Sequence, residues 1–334
     1  MVDASPPPQP DVSLVISTFQ RRDSVLRLID TLATQTTMPR EVIVVVDGST
    51  DGTTSALAAV DTPFPLRVVT QHNQGLSEAR NHGTKTASGE WVLFLDDDMA
   101  LEPSFLESMA RNFVPENDVV IGQIKLGDWL DDSILTREAR AWEREARETM
   151  LRQVFGVYSL TFQATAVRRA LVDEVGGFDV DFATAGEWGN EDIEFAYRLA
   201  LAGARIRYED DAIVRTDYVT DPDDWLRRYS QLGPADVRLV TKHPALAPAI
   251  YGRYAEHSRI HRLVAPAVLR FPVVQRLATP VRKLVVALLQ RGHTSWWVDR
   301  GWFTVRAITY WAAVAAAGGH PTALAALKDA SPRS

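Results

Sequence analysis

Residues 89–99 read Gly-Glu-Trp-Val-Leu-Phe-Leu-Asp-Asp-Asp-Met, an apolar run that empties into three consecutive carboxylates. A strand buried on one face alternates apolar and polar residues. This run does not alternate, so it predicts a central strand covered on both sides. Asp96, Asp97 and Asp98 then fall just past its carboxyl end, where open α/β sheets receive their ligands. Adjacent carboxylates repel, and folding alone gives no return for placing three of them at the mouth of an apolar sheet. A hard divalent ion such as Mg²⁺ or Mn²⁺ offsets that repulsion by taking carboxylate oxygens together with those of a substrate diphosphate. An acidic surface turn is the competing reading, and the rest of the chain decides between them.

Upstream, residues 12–18 form a strand rich in β-branched side chains. Ser24 is the expected N-cap of a helix with Val25, Leu28, Ile29 and Leu32 at helical spacing, ended by Pro39. A second strand over 41–46 stops at the polar loop Asp47-Gly48-Ser49-Thr50-Asp51-Gly52-Thr53. Residues 66–69 give a third strand, Ser77 is expected to cap a helix running through His82, and 91–95 is the fourth strand. Strands and helices that alternate over short links predict an α/β fold with a mostly parallel sheet and helices on both faces. Right-handed crossovers align the loops after Thr18, Val46 and Leu95 along one edge.

At 334 residues and 46% apolar, the chain can bury a full core. It has no cysteine, which removes disulfides and thiolate metal sites and fits a cytoplasmic location, peripheral at the inner face of a membrane. Residues 1–10 are polar and Pro-rich, and are expected to be a disordered lead-in and not a signal peptide. The best candidate for a membrane span, 302–319, carries Arg306 and is too short and polar for one. The net charge of −7 conceals an asymmetry: residues 251–310 hold ten Lys and Arg against Glu256 and Asp299. That basic segment, interleaved with Trp, Phe, Leu and Val, suits an anionic membrane surface, and packing against the remainder or a twin subunit is the alternative. The acidic remainder argues against nucleic acid as a substrate. Gly48 is the first glycine, so the Gly-rich turn that dinucleotide-binding and nucleotidyltransferase folds need after the first strand is missing. No P-loop, His-Glu-x-x-His or Gly-x-Ser-x-Gly motif occurs.

Six motifs in order carry a resemblance. They are residues 12–19, Val-Ser-Leu-Val-Ile-Ser-Thr-Phe; 44–53, ending Asp-Gly-Ser-Thr-Asp-Gly-Thr; and Asn73-Gln74-Gly75 with Ala79-Arg80-Asn81-His82-Gly83. The others are 89–98; Gly176-Gly177-Phe178-Asp179; and Glu191-Asp192 with Arg198 and Gly203. Over roughly residues 11–217 the chain resembles the family 2 inverting glycosyltransferases of the GT-A fold.

The resemblance implies a nucleotide-sugar donor, UDP-linked, and a divalent cation, Mn²⁺ or Mg²⁺. It implies a glycan, lipid-linked or small-molecule acceptor. Thr18 and Asp47 would hold the nucleotide, Arg80 would lie beside the diphosphate, Asp96 and Asp97 would contact the donor, and Asp98 would bind the metal. Asp192 would be the general base, Glu191 would orient the acceptor, and Trp188 would contact it. Val46 and Ala164 replace an acid and a small polar residue common in the family, and Arg215 and Asp217 stand where a metal-binding His is frequent. The implied domains are a catalytic domain over 11–223, with a donor half to residue 99 and an acceptor half from 100, and a helical region over 224–330. A catalytically silent nucleotide-sugar-binding or membrane-surface scaffold is the alternative.

Other residues read differently. Residues 133–154 predict a long charged helix. Trp129, Trp142 and Tyr158 read as core aromatics ahead of sugar-stacking platforms, and His257 and His261 as surface or interface residues. Asn190 is the expected N-cap of a helix with Ile193, Ala196, Tyr197, Ala200 and Leu201 buried. Six prolines from Pro234 to Pro280 are expected to break the C-terminal third into short helices.

Overall fold

The computed structural model of the chain describes residues 9–153, 155–156, 159–217, 221–257, 259–271, 273–293 and 295–329. Residues 1–8, Tyr158, Tyr218, Pro272 and the His257 side chain lie outside the described residues. The chain divides into two units. The first comprises Met1–Leu130, Ala139–Gly186 and Glu191–Tyr218; the second comprises Asp131–Glu138, Glu187–Asn190 and Val219–Ser334.

The first unit holds an 8-stranded sheet made of β1 (Val12–Thr18), β2 (Glu41–Asp47), β3 (Leu66–Gln71), β4 (Trp91–Asp96), β5 (Met99–Leu101), β6 (Val119–Leu126), β7 (Ala164–Arg168) and β8 (Ile206–Thr216). The spatial order is β3-β2-β1-β4-β7-β6-β8-β5. β3, β2, β1 and β4 are mutually parallel, β7 runs antiparallel to β4 and β6, and β6 is parallel to β8. The chain leaves β1 toward β2 on one side and returns to β4 on the other, so the carboxyl ends of β1 and β4 form the switch point. The register pairs Ser17 with Asp96 and Thr18 with Val46, which brings the three loop starts level.

The apolar runs are explained by burial on both faces. Leu14, Ile16, Val44, Leu93 and Leu95 share a core with Val25, Leu28, Ile29 and Leu32 of α1 (Arg22–Ala33) and with Phe105, Leu106 and Met109 of α4 (Phe105–Ala110). Their neighbours Val15, Val45, Val92 and Phe94 point the other way, into a core with Phe162, Phe178 and Phe195. Phe162 and Phe178 meet the Phe94 ring edge-on, an arrangement that the ring quadrupoles favour.

Helix starts differ from expectation. α1 begins after Arg21, whose carbonyl accepts from the Ser24 and Val25 amides, and Asp51 accepts from the Arg22 amide at 2.9 Å. A carboxylate from the next loop therefore does the capping expected of Ser24. α3 (Leu76–Thr86) starts after Gly75, and Ser77 donates its hydroxyl to the Phe182 carbonyl at 2.6 Å instead of capping. In α7 (Glu191–Leu201) the buried set is Glu191, Ile193, Glu194, Phe195, Ala196 and Leu199, so the inward face is rotated from the predicted stripe and Leu201 is exposed. The cause is ionic: Glu194 is buried because Arg198 pairs with it at 2.7 Å and also donates to the Val175 and Gly177 carbonyls. Trp129 and Trp142 are exposed, not core. Trp129 lies on the bare face of Gly127, and Trp142 sits on α5 (Ile134–Leu151), whose buried residues are confined to its first turn.

The second unit is helical: α8 (Pro222–Lys242), α9 (Ala247–His257), α10 (Arg259–Arg270), α11 (Val273–Gln290), α12 (Trp296–Ala316) and α13 (His320–Asp329). Pro234, Pro266 and Pro280 lie inside α8, α10 and α11 and do not end them. An interior proline costs about 3 kcal/mol. In α8 the burial of Leu226, Ala235, Leu239 and Val240 outweighs that cost. Gly233 lets this helix approach α12, since a Cβ there would lie 2.7 Å from the Ala313 Cβ. His261 is buried, not at the surface: its Nδ1 accepts from the Trp311 indole at 3.1 Å. Burial first, then the charges of Arg306 and Arg253, push its pKa down to about 3, so it is neutral. Among the described residues no helix is long and apolar enough to cross a membrane.

Gly75 has φ +95°, and a Cβ there would lie 2.2 Å from the Ala183 carbonyl oxygen. Gly75→Ala must therefore strain the backbone and push apart the start of α3 and residue 183. The expected loss is roughly 2–4 kcal/mol, read as a lowered midpoint in urea unfolding followed by circular dichroism.

Candidate active site

Three loops meet at the switch point, and the sequence of each explains its shape. After β1, Gln20 takes φ 55° and is tied to the next loop: its amide N–H donates to the Ser49 hydroxyl at 2.9 Å and its side chain to Thr50 at 2.9 Å. After β2, Gly48 turns at φ +76°, where a Cβ would lie 2.6 Å from the Asn73 nitrogen. Asp47 is buried beneath this turn and accepts from the Gln71 side chain at 2.9 Å and from the Gln74 and Gly75 amides at 2.8 Å each. Both its oxygens are thus engaged in holding the loop that leads into α3. Asp47, expected as a nucleotide contact, organises that loop.

Past β4, the three carboxylates have separate partners. Asp96 meets the Arg80 guanidinium at 2.9 Å. Asp97 is buried and accepts from the Thr18 hydroxyl at 2.7 Å and from Arg21 at 2.7 Å. Asp98 meets the same Arg21 nitrogen at 3.1 Å, while its Oδ1 is buried with no hydrogen-bond partner. Burial raises the pKa of all three. For Asp96 the Arg80 charge opposes that rise, and for Asp97 the Arg21 charge does. For Asp98 the neighbouring Asp96 and Asp217 charges add to it, and Arg21 opposes.

Arg80 is the hinge of this arrangement. It was expected beside a diphosphate, with a surface ion pair as the alternative; it is only 4% exposed. Its guanidinium spans Asp96 on one side and Glu191 on the other, at 3.2 Å, and stands 5.1 Å over the Phe178 ring. The acid pair at the start of α7 is thereby brought to the triple Asp. Asp192 accepts from the Ile193 amide at 2.7 Å. Burial, then the adjacent Glu191 charge, raises its pKa to about 7 against the pull of Arg80. A carboxylate held near neutrality can take a proton from a hydroxyl at physiological pH.

Asn190 and Trp188 belong to the second unit. Asn190 has φ 68°, its amide donates to Asp236 at 2.8 Å, and its Oδ1 has no partner, so it is not a side-chain cap. The Trp188 indole is exposed, with the Arg228 guanidinium 5.8 Å from its ring centre.

Arg21 is the site residue that sequence reasoning missed. A signal was present, because Arg21 and Arg22 open a helix whose dipole repels cations at that end. Such a pair needs acidic partners, and Asp97 and Asp98 supply them for Arg21. Burial disfavours the Arg21 cation, but those two charges outweigh it and its pKa is raised.

For a divalent cation, the donor set is spare. Among the described residues no group of three or more His, Cys, Asp or Glu side chains is arranged to hold a metal. Asp98, with an unpartnered buried oxygen and Asp217 close enough to act on its charge, fits a hard ion that draws its remaining ligands from phosphate and water.

Residues 13–176 match the family described as Glycosyl transferase family 2. Over 244 residues the chain is 29% identical to the pre-mycofactocin glycosyltransferase of Mycobacterium tuberculosis (strain ATCC 25618 / H37Rv), covering 72% of this chain and 50% of that protein. Over 279 residues it is 28% identical to the validoxylamine A glucosyltransferase of Streptomyces hygroscopicus subsp. limoneus, covering 72% and 59%. The chain thus spans little more than half the length of these curated relatives. The solved structure of the mannosyltransferase PcManGT from Pyrobaculum calidifontis in complex with GDP-Man and Mn²⁺ matches with a TM-score of 0.60 at 21% identity, covering 93% of this chain and 89% of that one. S. aureus TarS 1–349 in complex with UDP matches with a TM-score of 0.50 at 20% identity, covering 89% and 90%. These neighbours are GT-A glycosyltransferases, and the likeness is one of fold.

Arg80→Met should be costly because it strands Asp96 and Glu191. Removing one partner of a buried ion pair destabilises by about 3–5 kcal/mol. The deficit, read by thermal unfolding, should shrink as pH falls, because burial already raises the Asp96 pKa and its protonation removes a stranded charge.

Proposed function

Since residues 13–176 match the family described as Glycosyl transferase family 2, we propose that the chain transfers a sugar from a nucleoside-diphosphate donor, UDP-linked in this reading, to an acceptor hydroxyl in a single inverting displacement. The observation that carries this is the junction made by Arg80, which sets a carboxyl poised at about 7 next to the acids at the switch point. The hydroxyl belongs to a glycan, a lipid-linked acceptor or a small molecule in this reading.

In this mechanism Asp192 accepts the acceptor's proton as the hydroxyl oxygen forms its bond to the anomeric carbon. The bond to the diphosphate breaks with its electron pair on the leaving oxygen, from the opposite face, so configuration inverts. Glu191, fixed by Arg80, orients the acceptor and keeps the Asp192 pKa high through its own charge. Thr18 and Arg21 hold Asp97 in place, and Asp96 and Asp97 face the donor. Asp98, with Asp217 as its electrostatic neighbour, would hold a divalent cation, Mn²⁺ or Mg²⁺, that offsets charge on the departing nucleotide. Thr18 and Asp47 lie on the nucleotide side of the donor, and Asp47 also shapes the loop before α3.

The test is donor turnover by mass spectrometry across a panel of nucleotide sugars, with and without EDTA. Turnover should be selective, and chelation or Asp98→Asn should abolish it; a silent scaffold would turn over none. Asp192→Asn should lose roughly 10² to 10⁴ in rate while binding donor normally. A base works only when ionised, so kcat/KM for the wild type should fall about tenfold per pH unit below an apparent pKa near 7. A profile flat from pH 5 to 8, each value approximate, would remove Asp192 from the role.

A further inference from the structure

The second unit carries an apolar stripe that none of the described residues covers. On α11, Val273, Leu277, Val281 and Leu284 are 55%, 70%, 49% and 62% exposed. At about 100° per residue these four fall within about 80° of arc, so they form one continuous face and not scattered surface residues. Elsewhere on the helix, Val285, Val286 and Leu289 pack with Leu226, Trp302 and Val305. The helix is thus anchored by one side and presents another.

The charges around it select an occupant. Arg276 and Lys283 lie on one border of the stripe, and neither enters an ion pair among the described residues, nor do Arg270 before the helix and Arg291 after it. Residues 257–298 include seven Lys and Arg and no Asp or Glu. A second copy of the chain docking by this face would set Arg276 and Lys283 against their own counterparts, with no acid in the segment to meet them. A lipid surface offers phosphates to the cations and acyl chains to the stripe. Phe271, next to the helix start, is exposed, and so are Trp296 and Trp297, whose rings stand 4.3 Å apart. Indoles of this kind settle at headgroup level.

We propose that α11 docks the protein on an anionic phospholipid surface. Val273, Leu277, Val281 and Leu284 seat at the boundary of headgroups and acyl chains, and Arg276 and Lys283 lie against lipid phosphates. This holds independently of the reaction assigned to the first unit.

Co-sedimentation of the full chain with phosphatidylcholine vesicles containing about 30% phosphatidylglycerol tests it. Binding should be strong at low salt, fall as salt rises and be at least about tenfold weaker on pure phosphatidylcholine. Leu277→Asp with Leu284→Asp should weaken binding by more than about tenfold. Arg276→Gln with Lys283→Gln should weaken it by about fivefold per residue and flatten the salt dependence. The second pair serves if the first alters the melting profile. Absence of binding to anionic vesicles at low salt, or binding unchanged by either pair, would overturn the proposal. So would a wild-type dimer that ignores vesicles and becomes monomeric on Leu277→Asp with Leu284→Asp, which would assign the stripe to a second copy.

Discussion

A single buried guanidinium has to serve two carboxylates that lie far apart in sequence. Arg80 reaches Asp96 at 2.9 Å and Glu191 at 3.2 Å with almost no access to solvent. Taking these charges out of water is expensive, and a lone acid in either place would be forced to neutralise or to turn outward. The bridge therefore fixes where β4 ends relative to where α7 begins. The aromatic cluster completes its setting, because Phe178 offers the guanidinium its face while also packing against Phe94 and Phe195. Remove the cation and three acids, Asp96, Glu191 and Asp192, would share a poorly hydrated space with no opposite charge between them.

The opposite side of the switch point solves a related problem with Arg21. Asp97 and Asp98 share that one cation, and its own loop is stitched to the following one by Gln20, Ser49 and Thr50. The two arginines divide the carboxylates between them, yet one Asp98 oxygen is left without a partner. A site built this way retains negative potential that attracts a cation, at the cost of some stability.

The second unit handles buried polarity differently. Asp236 is fully buried and accepts from the Asn190 amide at 2.8 Å, from the Tyr310 hydroxyl at 2.5 Å and from Arg253 at 3.4 Å. Burial raises its pKa against those partners. His261 in the same unit is held neutral. Here polar groups specify how helices pack, and the exposed side of α11 is left free of that task.

The parallel order of β1 to β4, their burial on both faces and the position of the triple Asp followed from the sequence, because an unbroken apolar run ending in acids has few ways to sit in a sheet. The roles proposed for Asp192 and Asp98 rest on the resemblance in motif order. Other features depend on contacts between residues distant in the chain, which no local pattern carries. Asp47 became a loop organiser because Gln74 and Gly75 fold back onto it, Asp51 took over the capping expected of Ser24, and Glu194 turned inward because Arg198 covers its charge. Helical prolines and a buried His261 follow from packing energies larger than the local penalties. The role of Arg80 is the clearest case: the sequence determined that it would be a cation near the switch point, and only the tertiary structure decided which acids it joins, since an ion pair across 111 residues is set by the folding of everything between.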